Sequence, residues 1–110
     1  MSTLQVGFGS GVITPSLPVV LAGFGDRKGP VTEVRHDLLA QAVVVRSGDT
    51  TVCLLVLDLL LLGADLAAPL RRAVGLELGI SPAQVMTSCT HTHSGPAATS
   101  AVRRLWPMPS

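Results

Sequence analysis

The sequence predicts an α/β fold, a mixed sheet with one clear crossover helix. Four short runs rich in apolar residues are typical of strands, and only one stretch has its apolar residues at helical spacing. That stretch separates the last two runs, as in a strand–helix–strand crossover. At 110 residues the chain is one small domain or part of a larger one. A single helix covers only one face of such a sheet, so the other face is predicted to lack a partner within this chain.

The first strand is predicted over residues 4–10, where Leu4, Val6 and Phe8 alternate with smaller or polar residues. Glycine and proline then crowd residues 9–30, where they fix turns and forbid a continuous helix or central strand. A loop of this length is uncommon inside a compact domain and is often functional.

The second and third strands are predicted over residues 38–46 and 51–57. The intervening residues 47–49, Ser-Gly-Asp, have the composition of a turn, so the two strands form an antiparallel hairpin. The third run is apolar almost throughout, which is typical of a strand that is covered on both faces.

The helix is predicted to begin at or near Pro69, because a proline in the first turn gives up no needed N–H donor. Gly79 is its predicted C-terminal cap. One face of this helix carries three apolar residues: Leu70, Val74 and Leu78. The fourth strand is predicted over residues 84–89, parallel to the third and joined to it by a right-handed crossover.

Composition excludes several classes of protein. Charged residues make up 14% of the chain and the net charge is +1, which argues against both a disordered chain and a strongly basic nucleic-acid binder. Cys53 and Cys89 are too few for a disulfide scaffold and are predicted to be buried thiols. No signal peptide is visible, and the apolar stretch 52–62 is too short to span a membrane. We therefore expect a cytoplasmic protein, or a secreted one if a signal precedes this sequence.

His91 and His93, directly after the fourth strand, carry the strongest chemical signal. In an extended segment residues i and i+2 point the same way, so the imidazoles face one point, as joint metal ligands or as one ligand beside an acid/base group. The hydroxyls of Thr90, Thr92 and Ser94 are predicted to orient the rings. The alternative is a pair of ordinary loop histidines, since two histidines do not complete a zinc site.

Three upstream residues are further candidates. His36 is a possible remote third ligand with Asp37 orienting it, but we favour the alternative that both form a polar start to the second strand. Asp58 interrupts the apolar run where the third strand ends, and a carboxylate there is costly unless it is exposed, paired or bound. Lining a site and ending a strand are both open for Asp58.

Four segments share the pattern of one enzyme family. They are residues 6–15, which open with Val-Gly-Phe-Gly and close with Ile-Thr-Pro; residues 21–24, Leu-Ala-Gly-Phe; residues 36–40, His-Asp-Leu-Leu-Ala, with Asp58 after the next strand; and residues 90–96, Thr-His-Thr-His-Ser-Gly-Pro. Together they resemble the amino-terminal part of the neutral/alkaline non-lysosomal ceramidase family, over roughly residues 6–96. The last segment is the most specific.

The resemblance implies a zinc-dependent amidohydrolase that cleaves the amide bond of N-acylsphingosine with a zinc-activated water. Carried over by position, His91 is the metal ligand and His93 is the catalytic partner that hydrogen-bonds the substrate or the tetrahedral intermediate. The implied cofactor is zinc, and the implied substrate is a ceramide or another amide. Two departures are an acidic residue missing from residues 11–14 and Gln41 in place of the family's arginine.

The family's remaining zinc ligands, a histidine, a glutamate and a tyrosine, lie far beyond the His-Thr-His segment, and this sequence contains no tyrosine. The resemblance therefore implies that residues 1–110 are the amino-terminal fragment of a ceramidase-like catalytic domain, an incomplete part of a larger domain and inactive alone. We expect no nucleic-acid partner and no transmembrane segment, and either a homo-oligomer or a missing carboxy-terminal half. The alternatives are a non-catalytic truncated module or half of a split enzyme that binds metal weakly, and a small α/β domain in which the histidine pair is incidental.

Overall fold

A computed structural model describes residues 3–24 and 29–99 of the chain. These residues form a four-stranded sheet in the order β1-β2-β3-β4. The elements follow in the sequence β1 (Leu4–Val12), β2 (Leu39–Ser47), β3 (Thr50–Leu57), α1 (Ala64–Leu78), a 3₁₀ turn (Pro82–Gln84) and β4 (Val85–Cys89). The predicted α/β fold, a mixed sheet with one crossover helix, is confirmed.

The sheet contains both kinds of strand pairing. β2 pairs with β1 and with β3 in antiparallel fashion, and β3 pairs with β4 in parallel fashion. The turn between β2 and β3 contains Gly48, whose φ of 59° lies in the left-handed region that favours glycine. The predicted hairpin and the predicted parallel pair are therefore both confirmed.

β1 is longer than predicted and continues beyond Ser10 through Gly11 to Val12. Gly9 pairs with Ala42 and Gly11 with Ala40, so the backbone ladder runs on although these residues have no side chains to pack. β1 is an edge strand, and all nine of its residues are exposed. The sequence prediction stopped early because glycine usually weakens a strand.

The helix begins five residues earlier than predicted. Its N-cap is Gly63, and Pro69 is the sixth helical residue rather than one of the first. The amide of Gly63 donates to the carbonyl of Ala98 at 2.8 Å, and a Cβ at Gly63 would clash with the side chain of Thr99. This helix start therefore depends on a close contact with residues that follow β4, which no local pattern reveals.

The other end of the helix is as predicted. Gly79 is the C-terminal cap, with a left-handed φ of 68°, and the amide of Ile80 donates to the carbonyl of Gly75 at 2.9 Å. At 15 residues α1 is of ordinary length. Within residues 3–24 and 29–99, no helix has the length and the apolar character needed to cross a bilayer.

The main core lies between α1 and one face of the sheet. Leu55, Leu57 and Leu59 are buried there, and Leu70 and Val74 of the helix pack against them. A second small cluster joins the long loop to the residues around the ends of the strands, and it consists of Ala22, Leu60 and Ala97. The predicted apolar face of the helix is thus confirmed for its central residues.

β3 is covered on one face only, so the prediction that both of its faces are covered is wrong. Cys53, Leu55 and Leu57 are buried towards the helix, whereas Val52 and Leu54 on the other face are exposed. The apolar run identified a strand correctly, but the described chain supplies no layer over its second face.

Both cysteines are free thiols in the part of the chain that the structure describes. Cys53 is buried, as predicted, whereas Cys89 is only half-buried. Burial raises the pKa of both thiols above the ordinary value of 9.0, because a thiolate loses hydration in this environment.

Candidate functional site

The candidate site lies where the chain leaves β4. Two main-chain hydrogen bonds bind this segment to the end of β3 and the residues after it: the amide of Thr90 donates to the carbonyl of Leu57, and that of His91 to the carbonyl of Leu59, both at 3.0 Å. The parallel strands β3 and β4 thus end side by side. The carboxyl edge of parallel strands is where α/β folds commonly bind ligands.

The backbone of His91 is left-handed, with a φ of 67°. The expectation of an extended His-Thr-His segment is therefore wrong, because His91 turns the chain at this point. The two imidazoles still meet: the ring centroids of His91 and His93 lie 5.1 Å apart at an interplanar angle of 82°. The predicted meeting of the two rings is therefore observed, and a left-handed residue rather than strand alternation brings them together.

Main-chain carbonyls orient both rings. Nδ1 of His91 lies 2.8 Å from the carbonyl oxygen of Leu60, and Nδ1 of His93 lies 3.1 Å from that of Gly23. Because a carbonyl oxygen only accepts, each Nδ1 must carry the hydrogen and donate it. In the neutral ring each Nε2 then keeps its lone pair, which is the state required of a metal ligand or a proton acceptor.

The neighbouring hydroxyls do not take the role predicted for them. Thr90 donates its hydroxyl hydrogen to Asp58 at 3.0 Å, and the Thr92 hydroxyl accepts from the amide of Ser94 at 3.2 Å. These bonds shape the backbone of the segment rather than the rings.

The loop segment 21–24 packs against His93. The amide of Ala22 donates to the carbonyl of Gly95 at 2.8 Å, and the Phe24 ring lies 5.0 Å from that of His93. Gly23 has a φ of +114°, and a Cβ there would lie 2.5 Å from Nδ1 of His93. Glycine is therefore required at this close approach. Sequence reasoning placed this segment in the family pattern but gave it no role, because a main-chain acceptor has no side-chain signature.

Asp58 links three parts of the site. One carboxylate oxygen accepts from the amide of Leu39 at 2.9 Å, at the start of β2, and the other accepts from the Thr90 hydroxyl. Its own amide donates to the carbonyl of Leu39 at 2.9 Å. Asp58 thus ends its strand, as one of the two interpretations held, and it also fixes the residue before His91. A role in lining a functional site stays a prediction.

Replacing Asp58 tests this link. We expect Asp58→Ala to lower the free energy of unfolding by about 2 kcal/mol, because two donors lose a charged acceptor. Asp58→Asn keeps an oxygen for the amide of Leu39 and an NH₂ group for the Thr90 hydroxyl, so its loss should be about half as large. Urea unfolding followed by circular dichroism measures both values. Equal losses in the two variants would contradict a role based on these two hydrogen bonds.

His36 does not join the histidine pair. It is exposed and lines a groove of about 800 Å³ together with Asp37, Asp58 and Thr92, and neither His91 nor His93 lines this groove. Asp37 accepts from the Thr14 hydroxyl at 2.8 Å rather than orienting His36. The favoured interpretation, a polar start to the second strand, agrees with these contacts.

The donor set fits part of a zinc site. The two Nε2 atoms are suitable ligands, but in the described ranges no group of three His, Cys, Asp or Glu side chains is placed to hold a metal ion. Zinc sites normally use three or four protein ligands. Within the described ranges, this edge therefore supplies two imidazole donors, fewer than a zinc site normally uses.

Comparisons with known proteins agree with this architecture. No family model and no curated protein matches the sequence. Among solved structures, a ceramidase complexed with C2 matches 96% of this chain with a TM-score of 0.78 and 20% identity. The neutral ceramidase from Pseudomonas aeruginosa matches 88% of it with a TM-score of 0.70 and 22% identity.

This chain covers 17% and 16% of those two ceramidase chains, so it spans about a sixth of their length. At this level of identity the likeness is one of fold. The chain has the fold of one segment of the ceramidases, as the resemblance of its sequence implied.

Proposed function

We propose that this chain is the amino-terminal segment of a zinc-dependent amidohydrolase of the neutral ceramidase type, and that it is incomplete on its own. The observation that carries the proposal is the pair of hydrogen bonds that join the two Nδ1 atoms to main-chain carbonyls. Both Nδ1 atoms donate to carbonyls, so in the neutral rings each Nε2 keeps the lone pair that can bind a metal or accept a proton. The ceramidase fold supports the same assignment.

In this proposal His91 binds the zinc ion through Nε2. The Leu60 carbonyl holds the ring, and the hydrogen bond from the His91 amide to Leu59 holds the backbone. Outer hydrogen bonds of this kind fix the tautomer of a ligand and raise its basicity. When bound, zinc supplies a Lewis acid that polarises a carbonyl and activates water for amide hydrolysis.

In the complete enzyme His93 has the complementary role of binding the substrate, whereas in the isolated chain, without the other zinc ligands, its Nε2 is the second donor to the ion. Its Nε2 accepts a hydrogen bond when the ring is neutral and donates one to a developing oxyanion when the ring is charged. The Gly23 carbonyl accepts from Nδ1 whether the ring is neutral or charged. The ring therefore keeps its orientation when Nε2 gains or loses a proton. Phe24 packs beside the same ring and limits its rotation.

The remaining zinc ligands come from outside the described residues in this proposal. Two imidazoles alone bind zinc weakly, because each missing donor leaves the coordination shell to water. The substrate class is a lipid amide such as a ceramide, by analogy with the ceramidases that share the fold.

Zinc titration calorimetry on the purified chain tests the proposal. We expect weak binding that is lost in His91→Ala, reduced in His93→Ala and unchanged in His36→Ala. His36 is a matched control because it is exposed and makes none of the ring contacts described for the pair. We also expect no amidase activity from the isolated chain.

Two results would overturn parts of the proposal. Zinc binding that survives in His91→Ala would remove that residue as a ligand. Tight equimolar binding with amidase activity in the wild-type chain would show that the chain is complete.

A further inference from the structure

One face of the sheet carries large apolar side chains that the described chain leaves uncovered. We call it the open face. Strand pairing places Phe8, Val43, Leu54 and Met86 in one row across all four strands, and Val6, Val45 and Val52 in the next. The exposed members of the open face are Leu4, Val6, Phe8, Val12, Val52, Leu54 and Met86.

The open face is too large for an ordinary monomer surface. The exposed fractions of its side chains run from 37% for Leu54 to 70% for Phe8. With usual residue areas this amounts to roughly 800 Å² of apolar surface, whereas the largest patch on a monomer is about 300–600 Å². One partner in a standard stable interface contributes about the same 800 Å².

The open face also lacks charge. Arg46 is the one charged residue in the four strands, and it lies on the opposite face, where its Nε donates to the Thr51 hydroxyl at 3.0 Å. Two copies of this surface can therefore meet without bringing like charges together. A surface that binds an anionic membrane would carry basic residues around its apolar centre, and these strands supply none there.

We propose that the open face is a homodimer interface occupied by the open face of a second copy. Two such sheets pack face to face about 10 Å apart, with their strands rotated by about 30°, as in a β-sandwich. A two-fold axis makes the contact self-complementary, so it closes with two chains and does not propagate. The helix of each copy then lies on the outside, and the histidine pair stays at the sheet edge.

The radius of gyration agrees with a sheet that is covered on one face only. It is 15.9 Å, compared with about 13 Å for a compact domain of about 100 residues. A second copy on the open face supplies the missing thickness. The proposal goes beyond the proposed function and uses none of the zinc-binding residues, so each can fail without the other.

Sedimentation velocity over a range of protein concentrations tests the interface. We expect a defined dimer for the wild-type chain and about tenfold or more weaker association for Phe8→Glu, because a charge would be buried between the sheets. Leu76→Glu is the matched control, since Leu76 is 86% exposed on α1 and lies on the other side of the sheet. It should dimerise as the wild-type chain does.

A second variant guards against misfolding. Met86→Glu places the charge on the opposite edge strand, and circular dichroism checks that each variant retains its secondary structure. A monomeric wild-type chain would overturn the proposal, and so would dimers unaffected by both open-face variants. A monomer that binds neutral phosphatidylcholine vesicles would instead assign the face to lipid, and open-ended oligomers would assign the association to strand edges.

Discussion

Gly23→Ala is expected to displace the His93 ring and to weaken zinc binding by about tenfold or more. The new Cβ would lie 2.5 Å from Nδ1 and 2.8 Å from Cγ of His93, distances that real Cβ atoms do not tolerate. The ring must move, and its hydrogen bond to the Gly23 carbonyl must change with it. Zinc calorimetry measures the affinity, and long-range ¹H–¹⁵N spectra of the imidazole report the tautomer of His93.

Gly29→Ala is the control that separates ring displacement from backbone strain. Gly29 also has a positive φ, of 74°, but no atom lies within 4 Å of the position its Cβ would occupy. Both substitutions place alanine in an unfavourable backbone region, at a cost of about 1–2 kcal/mol. If both variants bind zinc as the wild-type chain does, Gly23 is not needed to position His93.

Leu57→Ala is expected to lower the free energy of unfolding by about 3–4 kcal/mol. Leu57 is 5% exposed and belongs to the main cluster between the sheet and the helix. Domains of this size have a free energy of unfolding of only about 5–15 kcal/mol, so one such cavity removes a large part of the stability. Urea unfolding followed by circular dichroism measures the loss.

Leu76→Ala makes the same chemical change at a helix position that is 86% exposed. Its effect should stay within about 0.5 kcal/mol, because little buried surface is lost and alanine is a good helix former. A loss below 1 kcal/mol in Leu57→Ala, similar to that in Leu76→Ala, would contradict the described core.

Local sequence patterns predicted β2, β3 and β4 to within one residue at each end. Their apolar runs and the Ser-Gly-Asp turn are short-range signals, and the parallel pairing follows from a helix between two strands. The start of α1 was not predictable in the same way. It depends on Gly63 fitting against Ala98 and Thr99, residues about 35 positions further along the chain.

The candidate site likewise has parts that local sequence predicts and parts that depend on distant residues. The sequence predicted that the rings of His91 and His93 meet, and the structure places them 5.1 Å apart. It did not predict the groups that orient the two rings. These are the main-chain carbonyl oxygens of Leu60 and Gly23, and every residue possesses such an oxygen. The side-chain link through Asp58 was visible as a carboxylate in an apolar run, but its two partners come from β2 and from the segment after β4.

The left-handed backbone of His91 has a consequence for how this residue can vary. Glycine or asparagine adopts a φ of 67° at lower cost than histidine, so folding alone favours a different residue there. The hydrogen bond from the imidazole to the Leu60 carbonyl offsets part of that cost. Under the proposed function, position 91 is therefore a point of conflict between stability and activity, because the substitution that best relaxes the backbone also removes the proposed zinc ligand.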